Sequence, residues 1–273
     1  MATTLTGDVE RRESRPLALI TGASAGLGRE FALLLAERGH DLVVVARREE
    51  RLVALKKEVA DKFGVRTKVI VEDLSHVAAP RRIADTLRGA NLEVDFLVNN
   101  AGYAINGRFL QNDWSAHADF LQVMVGSWLN LTHALAPAMV RKGRGRILNV
   151  SSLASLAPEP PGSLYAPVKC LMTSASRALR FDLLGTGVHC TALCPGFTYT
   201  EFHDVLGVRE NMNKMPKFMW QAARPVCVAG LEGVERNKAI VVPGAFNKMA
   251  ATLCRFLPYA VTSKMIPKGV MER

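Results

Sequence analysis

Apolar residues fall along this chain in short unbroken runs. "LALIT" (17–21), "LVVVA" (42–46), "KVIVED" (68–73), "VDFLVNN" (94–100), "GRILNVSS" (145–152), "HCTALCPG" (189–196) and "AIVVPG" (239–244) read as seven strands. Runs that are apolar throughout, rather than alternating, belong to strands buried on both faces. Between them, helical patterns occupy about 27–38, 49–63, 76–89, 114–142, 163–185 and 225–236. This alternation predicts an α/β fold, a doubly wound seven-stranded parallel sheet with helices on both faces. No linker, internal repeat or low-complexity segment interrupts it. The expected organisation is a flexible polar arm over residues 1–15 and one domain over 16–273.

Composition fits that picture. The chain has 273 residues, 49% hydrophobic and 22% charged, enough to bury a sizeable core in one domain. No run of about 18 apolar residues occurs, so no spanning helix is predicted. The N-terminal "MATTLTGDVERRESRP" lacks the apolar stretch of a secretory signal. Cys170, Cys190, Cys194, Cys227 and Cys254 form no CxxC pair and read as buried thiols of a reducing compartment, with cytoplasmic localisation expected. Neither they nor the scattered histidines predict a metal site. Net charge is +10, but no nucleic-acid-binding signature accompanies it, even around "RKGRGR" (141–146), so no nucleic-acid partner is expected.

Sheets of this kind place ligands beyond the carboxyl ends of their strands. The first strand runs into "TGASAGLG" (21–28), where Gly22, Gly26 and Gly28 let the backbone turn tightly and approach a pyrophosphate at a helix N-terminus. The second strand ends in "VVVARREERL". A site for NAD places a carboxylate about here to accept a hydrogen bond from the ribose 2′-hydroxyl. Arg47 and Arg48 stand there instead, and guanidinium groups suit a 2′-phosphate. The competing reading is a solvated helix start with the arginines paired to Glu49 or Glu50. Position and charge favour the phosphate, and NADP(H) is the expected cofactor.

In order along the chain stand "TGASAGLG", the pair Asp73–Leu74, "NNAG" (99–102), "NVSS" (149–152), "YAPVK" (165–169) and "PGFTYT" (195–200). With these motifs the chain, from about Leu17 to Gly244, resembles the short-chain dehydrogenase/reductase superfamily in its single-domain form. The resemblance implies a Rossmann-type sheet and an NADP(H)-dependent oxidoreductase that interconverts a carbonyl and an alcohol. It implies that Gly22, Ser24, Ala25, Gly26, Leu27 and Gly28 surround the pyrophosphate and adenosine ribose. Asp73 and Leu74 would flank the adenine, and Asn100, Ala101 and Gly102 would line the central part of the cofactor. Thr198 and Thr200 would hold the nicotinamide carboxamide. The spacing of thirteen residues from Ser152 to Tyr165 matches that of the family, so the resemblance implies Ser152, rather than Ser151, as the active serine.

Tyr165 is then the proton donor in reduction and the acceptor in oxidation, with Lys169 one helical turn away. A free phenol, with a pKa of about 10, is a feeble acid–base group at neutral pH. The Lys169 ammonium and the positive charge of the oxidised nicotinamide are expected to lower that value. Lys169 would also bond the nicotinamide ribose, and Ser152 would donate to the substrate oxygen. Pro167 falls near the first helical turn, where few amide donors are needed.

The pattern breaks at one point. Many members of the family carry an asparagine in the long helix before "NVSS", at the position where this chain has Met124. Asn130 lies six positions on, roughly 240° round the helix, and cannot stand in. Either the proton relay is replaced locally or turnover is slow; an alignment slip of a residue or two would also move the position. The alternative to an active enzyme is a sensor or scaffold of the same fold that binds NADP(H) with weak or no turnover.

Substrate contacts are expected from residues 201–225, where Met212, Met215, Phe218, Met219 and Trp220 would form an apolar lid for a lipophilic ketone or aldehyde, or else pack on the core. "APEPPGS" (157–163) would flank the pocket. The apolar and basic C-terminal segment is expected to pack as a helix or cover the pocket, with an oligomer contact or a membrane-surface element as alternatives. By family analogy the long helices would pair copies into a homodimer or homotetramer.

Overall fold

The computed structural model describes residues 15–156, 164–201, 216–256 and 261. Its strands are β1 (Leu17–Thr21), β2 (Asp41–Ala46), β3 (Thr67–Val71), β4 (Phe96–Asn99), β5 (Gly145–Val150), β6 (Val188–Leu193) and β7 (Ile240–Val241). They form one parallel sheet in the order β3-β2-β1-β4-β5-β6-β7. The α-helices are α1 (Gly26–Glu37), α2 (Glu49–Phe63), α3 (Ala79–Gly89), α4 (Trp114–Leu121), α5 (Trp128–Arg141), α6 (Tyr165–Asp182), α7 (Ala223–Glu235) and α8 (Ala245–Phe256).

Both sheet faces are buried, as the unbroken apolar runs require. Ala18 and Ile20 of β1 face a core built with Phe31 and Leu35 of α1 and Leu231 of α7. Leu17 and Leu19 point the other way, into a second core with Ile83 of α3 and Leu131 and Met139 of α5. Alternate residues of one strand thus serve both layers.

The elements depart from the sequence pattern where a local cause intervenes. α3 begins three residues later than the apolar pattern suggests, with Pro80 in its first turn, where a missing N–H costs little. The expected single helix over 114–142 is two helices joined by a π-helical turn, Gln122–Ser127. Ser127 fixes that turn to the segment after β3 by donating to the Leu74 carbonyl at 2.7 Å. The run from Trp114 to Lys142 is long and apolar enough to cross a bilayer by length and composition, although Asp119, Gln122 and Asn130 interrupt its apolar character. Here Leu131, Leu135 and Met139 of its second half pack into the core.

β1 and β4 are neighbours although the chain visits β2 and β3 between them. The connections therefore leave in opposite directions beyond these two strands, opening a crevice at their carboxyl ends.

Candidate active site

The crevice is framed by the turn between β1 and α1. Gly22 and Gly26 hold left-handed backbone, with φ of +68° and +53°. A Cβ on Gly28 would lie 2.2 Å from the Gly22 carbonyl oxygen and 2.5 Å from Asn100 Nδ2, so neither partner could stay in place. Asn100 holds the turn in return: its Nδ2 donates to Thr21 O at 2.9 Å, and Thr21 Oγ1 accepts from the Asn100 and Ala101 amides at 3.0 Å. The "NNAG" segment and the glycine turn are therefore one hydrogen-bonded unit.

No side chain caps the start of α1, and no acidic residue stands in its first turn. The positive end of the helix is left for an external anion. This uncapped end, with Cβ-free backbone around it, fits a dinucleotide pyrophosphate. Ser24, Ala25 and Leu27 lie in the same turn.

Beyond β2, Arg47 pairs with Asp73 at 3.5 Å. Arg48 donates from Nε and Nη2 to Ser24 Oγ at 3.2 and 3.0 Å, and from Nη1 to Glu201 at 3.2 Å. The pairing with Glu49 or Glu50 that a solvated helix start would give is not what these arginines do. Arg47 and the Ser75 amide face the Asp73 carboxylate, whose pKa lies below its ordinary value although burial opposes the shift. Leu74, expected beside the adenine, turns its side chain into the core under α3.

At the end of β5 the two serines diverge. Ser151 is buried and committed to the body of the protein, its Oγ donating to Lys169 O at 2.9 Å and bonding Thr173 Oγ1 at 2.7 Å. Ser152 caps a short 3-10 turn, its Oγ accepting from the Ala154 amide at 3.1 Å, and it hydrogen-bonds the Tyr165 hydroxyl. Ser155 donates to the Ser152 carbonyl at 2.7 Å and so holds this turn from behind. The Lys169 ammonium, 4% exposed, donates to Val150 O at 2.7 Å and lies 5.7 Å from the centre of the Tyr165 ring.

α6 is anchored under the site by a buried polar ladder. Asn99 Nδ2 donates to Asn149 Oδ1 at 2.8 Å and to Thr132 at 3.0 Å, while Asn149 Nδ2 donates to Ser176 at 2.9 Å. β4, β5, α5 and α6 are thereby tied together directly below Ser152, Tyr165 and Lys169.

Burial pushes the Tyr165 phenol up to about 12, with the Ser152 hydrogen bond pulling the other way; the expected lowering belongs to a site that also holds the positive charge of the oxidised nicotinamide. Burial likewise brings Lys169 down to about 8, with Cys194 opposing. The cause is common to both: each loses water, and the lysine spends its hydrogen bond on a backbone carbonyl rather than on the phenol.

Met124 lies in the π-helical turn, 1% exposed, in an apolar cluster with Phe120 and Val168, against which Tyr165 packs. A Cβ on Gly102 would sit 2.9 Å from its sulfur and 3.8 Å from Lys169 Nζ, so methionine fills the space beside the lysine. The Met124 carbonyl accepts from the Trp128 indole at 2.9 Å. Asn130 is exposed.

After β6, Thr198 is buried with its hydroxyl donating to Gly196 O at 3.0 Å, and Thr200 packs over Gly26. Tyr199 stacks on Trp220 at 4.8 Å, and Phe218 meets Phe246 of α8 edge-on at 5.2 Å. Met212, Met215 and the segment 157–163 lie outside the described residues. Glu201 and Arg51, which bond each other at the adenosine end, had no sequence signal: they are 150 residues apart and only the fold joins them.

The described geometry is that of a nicotinamide dinucleotide oxidoreductase, and the comparisons agree. Residues 16–211 match the short chain dehydrogenase family, to which this chain belongs. It is 36% identical to sulfoacetaldehyde reductase 2 of Chromohalobacter salexigens over 191 residues, 68% of this chain and 74% of that protein. It is 34% identical to an NADP-dependent 3-hydroxy acid dehydrogenase of Salmonella typhi over 194 residues, 69% and 75% of the two. Among solved structures, a short-chain dehydrogenase from Sphingobium yanoikuyae in complex with NADPH superposes with a TM-score of 0.78 at 30% identity, covering 89% of this chain and 96% of that one. The protein is an oxidoreductase of this family.

Proposed function

We propose that the protein is an NADP(H)-dependent reductase of a lipophilic ketone or aldehyde. The observation that carries this reading is the convergence of Ser152, Tyr165 and Lys169 beside an anion-receptive glycine turn at the sheet's switch point.

A bound dihydronicotinamide supplies a hydride to the carbonyl carbon. As that carbon is reduced, charge develops on its oxygen, where Ser152 Oγ donates a hydrogen bond. The Tyr165 O–H bond breaks and its proton passes to the same oxygen, giving the alcohol. The phenol is protonated at neutral pH, and because burial raises it to about 12 it gives up its proton only to the more basic oxygen that develops on the substrate. The Lys169 ammonium, close to the ring, stabilises the phenolate left behind until solvent reprotonates it.

Arg48, bonded to Ser24 of the turn, and Arg47 beside it at the end of β2, paired with Asp73, support NADP(H) over NAD(H). Tyr199 and Trp220 support a lipophilic substrate, since they put aromatic surface beside Thr198. A homo-oligomer is part of the proposal. A surface hollow of about 600 Å³ between the π-helical turn and α6, with Val77, Val125 and Leu171 on its walls, offers an apolar seat for a second copy.

Met124 motivates a second reading, in which the lysine exchanges protons slowly and the protein binds NADP(H) with weak turnover. A screen of carbonyl substrates followed by NADPH absorbance tests the two. Turnover that is lost in Tyr165→Phe while NADPH still binds supports the reductase. Tight NADPH binding with no oxidation across the panel favours the second reading.

A further inference from the structure

Two guanidinium groups converge on one carboxylate at the edge of the glycine turn. Arg51 Nη1 donates to both oxygens of Glu201, at 2.7 and 2.8 Å, and Arg48 Nη1 reaches the same carboxylate at 3.2 Å. The rest of the Arg48 guanidinium is on Ser24, within the turn itself. The residue before Glu201, Thr200, has its Cβ 3.2 Å from where a Cβ on Gly26 would be, so this segment crosses directly over the phosphate-binding backbone. Glu201 is thus an anion already seated among the groups assigned to the adenosine ribose.

We propose that Glu201 is an internal counter-anion that a ribose 2′-phosphate displaces, and that Arg51 joins Arg48 in holding that phosphate. The inference rests on the reading of the β2–α2 junction as an NADP(H) subsite. Two positive groups share one negative charge here, so the cluster carries an excess positive charge. A phosphate monoester brings about −1.5 to −2 charges and three acceptor oxygens, and satisfies both guanidiniums more fully than a carboxylate does. All three side chains are close to half exposed, which keeps the existing ion pairs weak and exchangeable. The carboxylate remains charged at neutral pH, since the Arg51 hydrogen bonds hold its pKa below the ordinary range against a small desolvation. NAD(H) carries no phosphate there and leaves the pair in place. Arg47 takes no part in the cluster; it faces Asp73.

Isothermal titration of the full chain with NADPH, NADH and adenosine 2′,5′-bisphosphate tests this without turnover. Glu201→Gln is expected to tighten NADPH and the bisphosphate by about fivefold and to leave NADH within about twofold. Arg51→Ala is expected to weaken the two phosphate-bearing ligands about tenfold, again sparing NADH. Unchanged or weaker NADPH binding in Glu201→Gln would make the carboxylate a structural brace and overturn its role. Equal losses for NADPH and NADH in Arg51→Ala would overturn that of the arginine. If the wild-type chain already binds NADH as tightly as NADPH, the cofactor assignment fails and takes this proposal with it. A wild type that prefers NADPH, with variants that do not respond, sinks this proposal alone.

Discussion

Burial drives both ionisable groups of the site toward their neutral forms, the phenol to about 12 and the lysine to about 8. For Lys169 this has a consequence in the cofactor-free chain. Below about pH 8 folded and unfolded chains both hold the proton, and the folded chain bears the full penalty of a buried charge. Between about 8 and the ordinary 10.5 only the unfolded chain keeps it, so stability rises with pH across that window. Measured by urea unfolding against Lys169→Met, the wild type should gain a few kcal/mol of relative stability from pH 8 to 10.5 and none below pH 8. Parallel curves would contradict the shift. The residues themselves were legible in the sequence, because the spacing of Ser152, Tyr165 and Lys169 is local or nearly so. The direction of the phenol shift was not, since it depends on burial by Phe120 and Met124, which reach Tyr165 only through the fold.

The turn between β1 and α1 is a single packed unit with the "NNAG" segment. Gly28→Ala should lower stability by about 1–3 kcal/mol and weaken dinucleotide binding with it, because its Cβ meets the Gly22 backbone carbonyl as well as the hydrogen-bonded Asn100 amide. A variant with wild-type melting and affinity would show that the turn relaxes freely. The glycines were readable from the sequence as turn residues; the reason for the third one, contact with the Gly22 carbonyl and Asn100, needed the fold. The π-helical turn had no sequence signal at all, since its apolar pattern continues that of a helix. With Met124 buried in it and its carbonyl taken by Trp128, the site is built without an asparagine. Met124→Asn should leave the single-turnover rate of NADPH oxidation within about threefold while lowering the melting temperature, because it buries an amide in an apolar cluster. A tenfold or larger gain in rate would instead support the slow-exchange reading.

Across the whole molecule, the seven parallel strands and the placing of ligands beyond their carboxyl ends followed from the alternation of apolar runs and helical patterns, because strands buried on both faces need unbroken apolar runs; the strand order, and with it the crevice between β1 and β4, needed the fold. Partners distant in the chain did not. Glu201 meets Arg51 across the crevice, and nothing in either neighbourhood announces it. Two tests belong to this scale. Arg47→Asp combined with Arg48→Ala should shift preference from NADPH toward NADH by about tenfold or more, read as a ratio of dissociation constants; an unchanged ratio would remove both arginines from the assignment. Leu171→Glu, placing a charge on the wall of the apolar hollow, should move the protein toward monomer in light scattering, whereas an unchanged oligomer would place the contact elsewhere.

The chemistry turns on whether the Tyr165 hydroxyl delivers the proton. The direct measurement is single-turnover hydride transfer from NADPH in wild type and Tyr165→Phe, with NADPH affinity determined on the same samples. A proton donor predicts a loss of at least about a hundredfold in rate with affinity within a few-fold of wild type. Hydride transfer at the wild-type rate without that hydroxyl would contradict it.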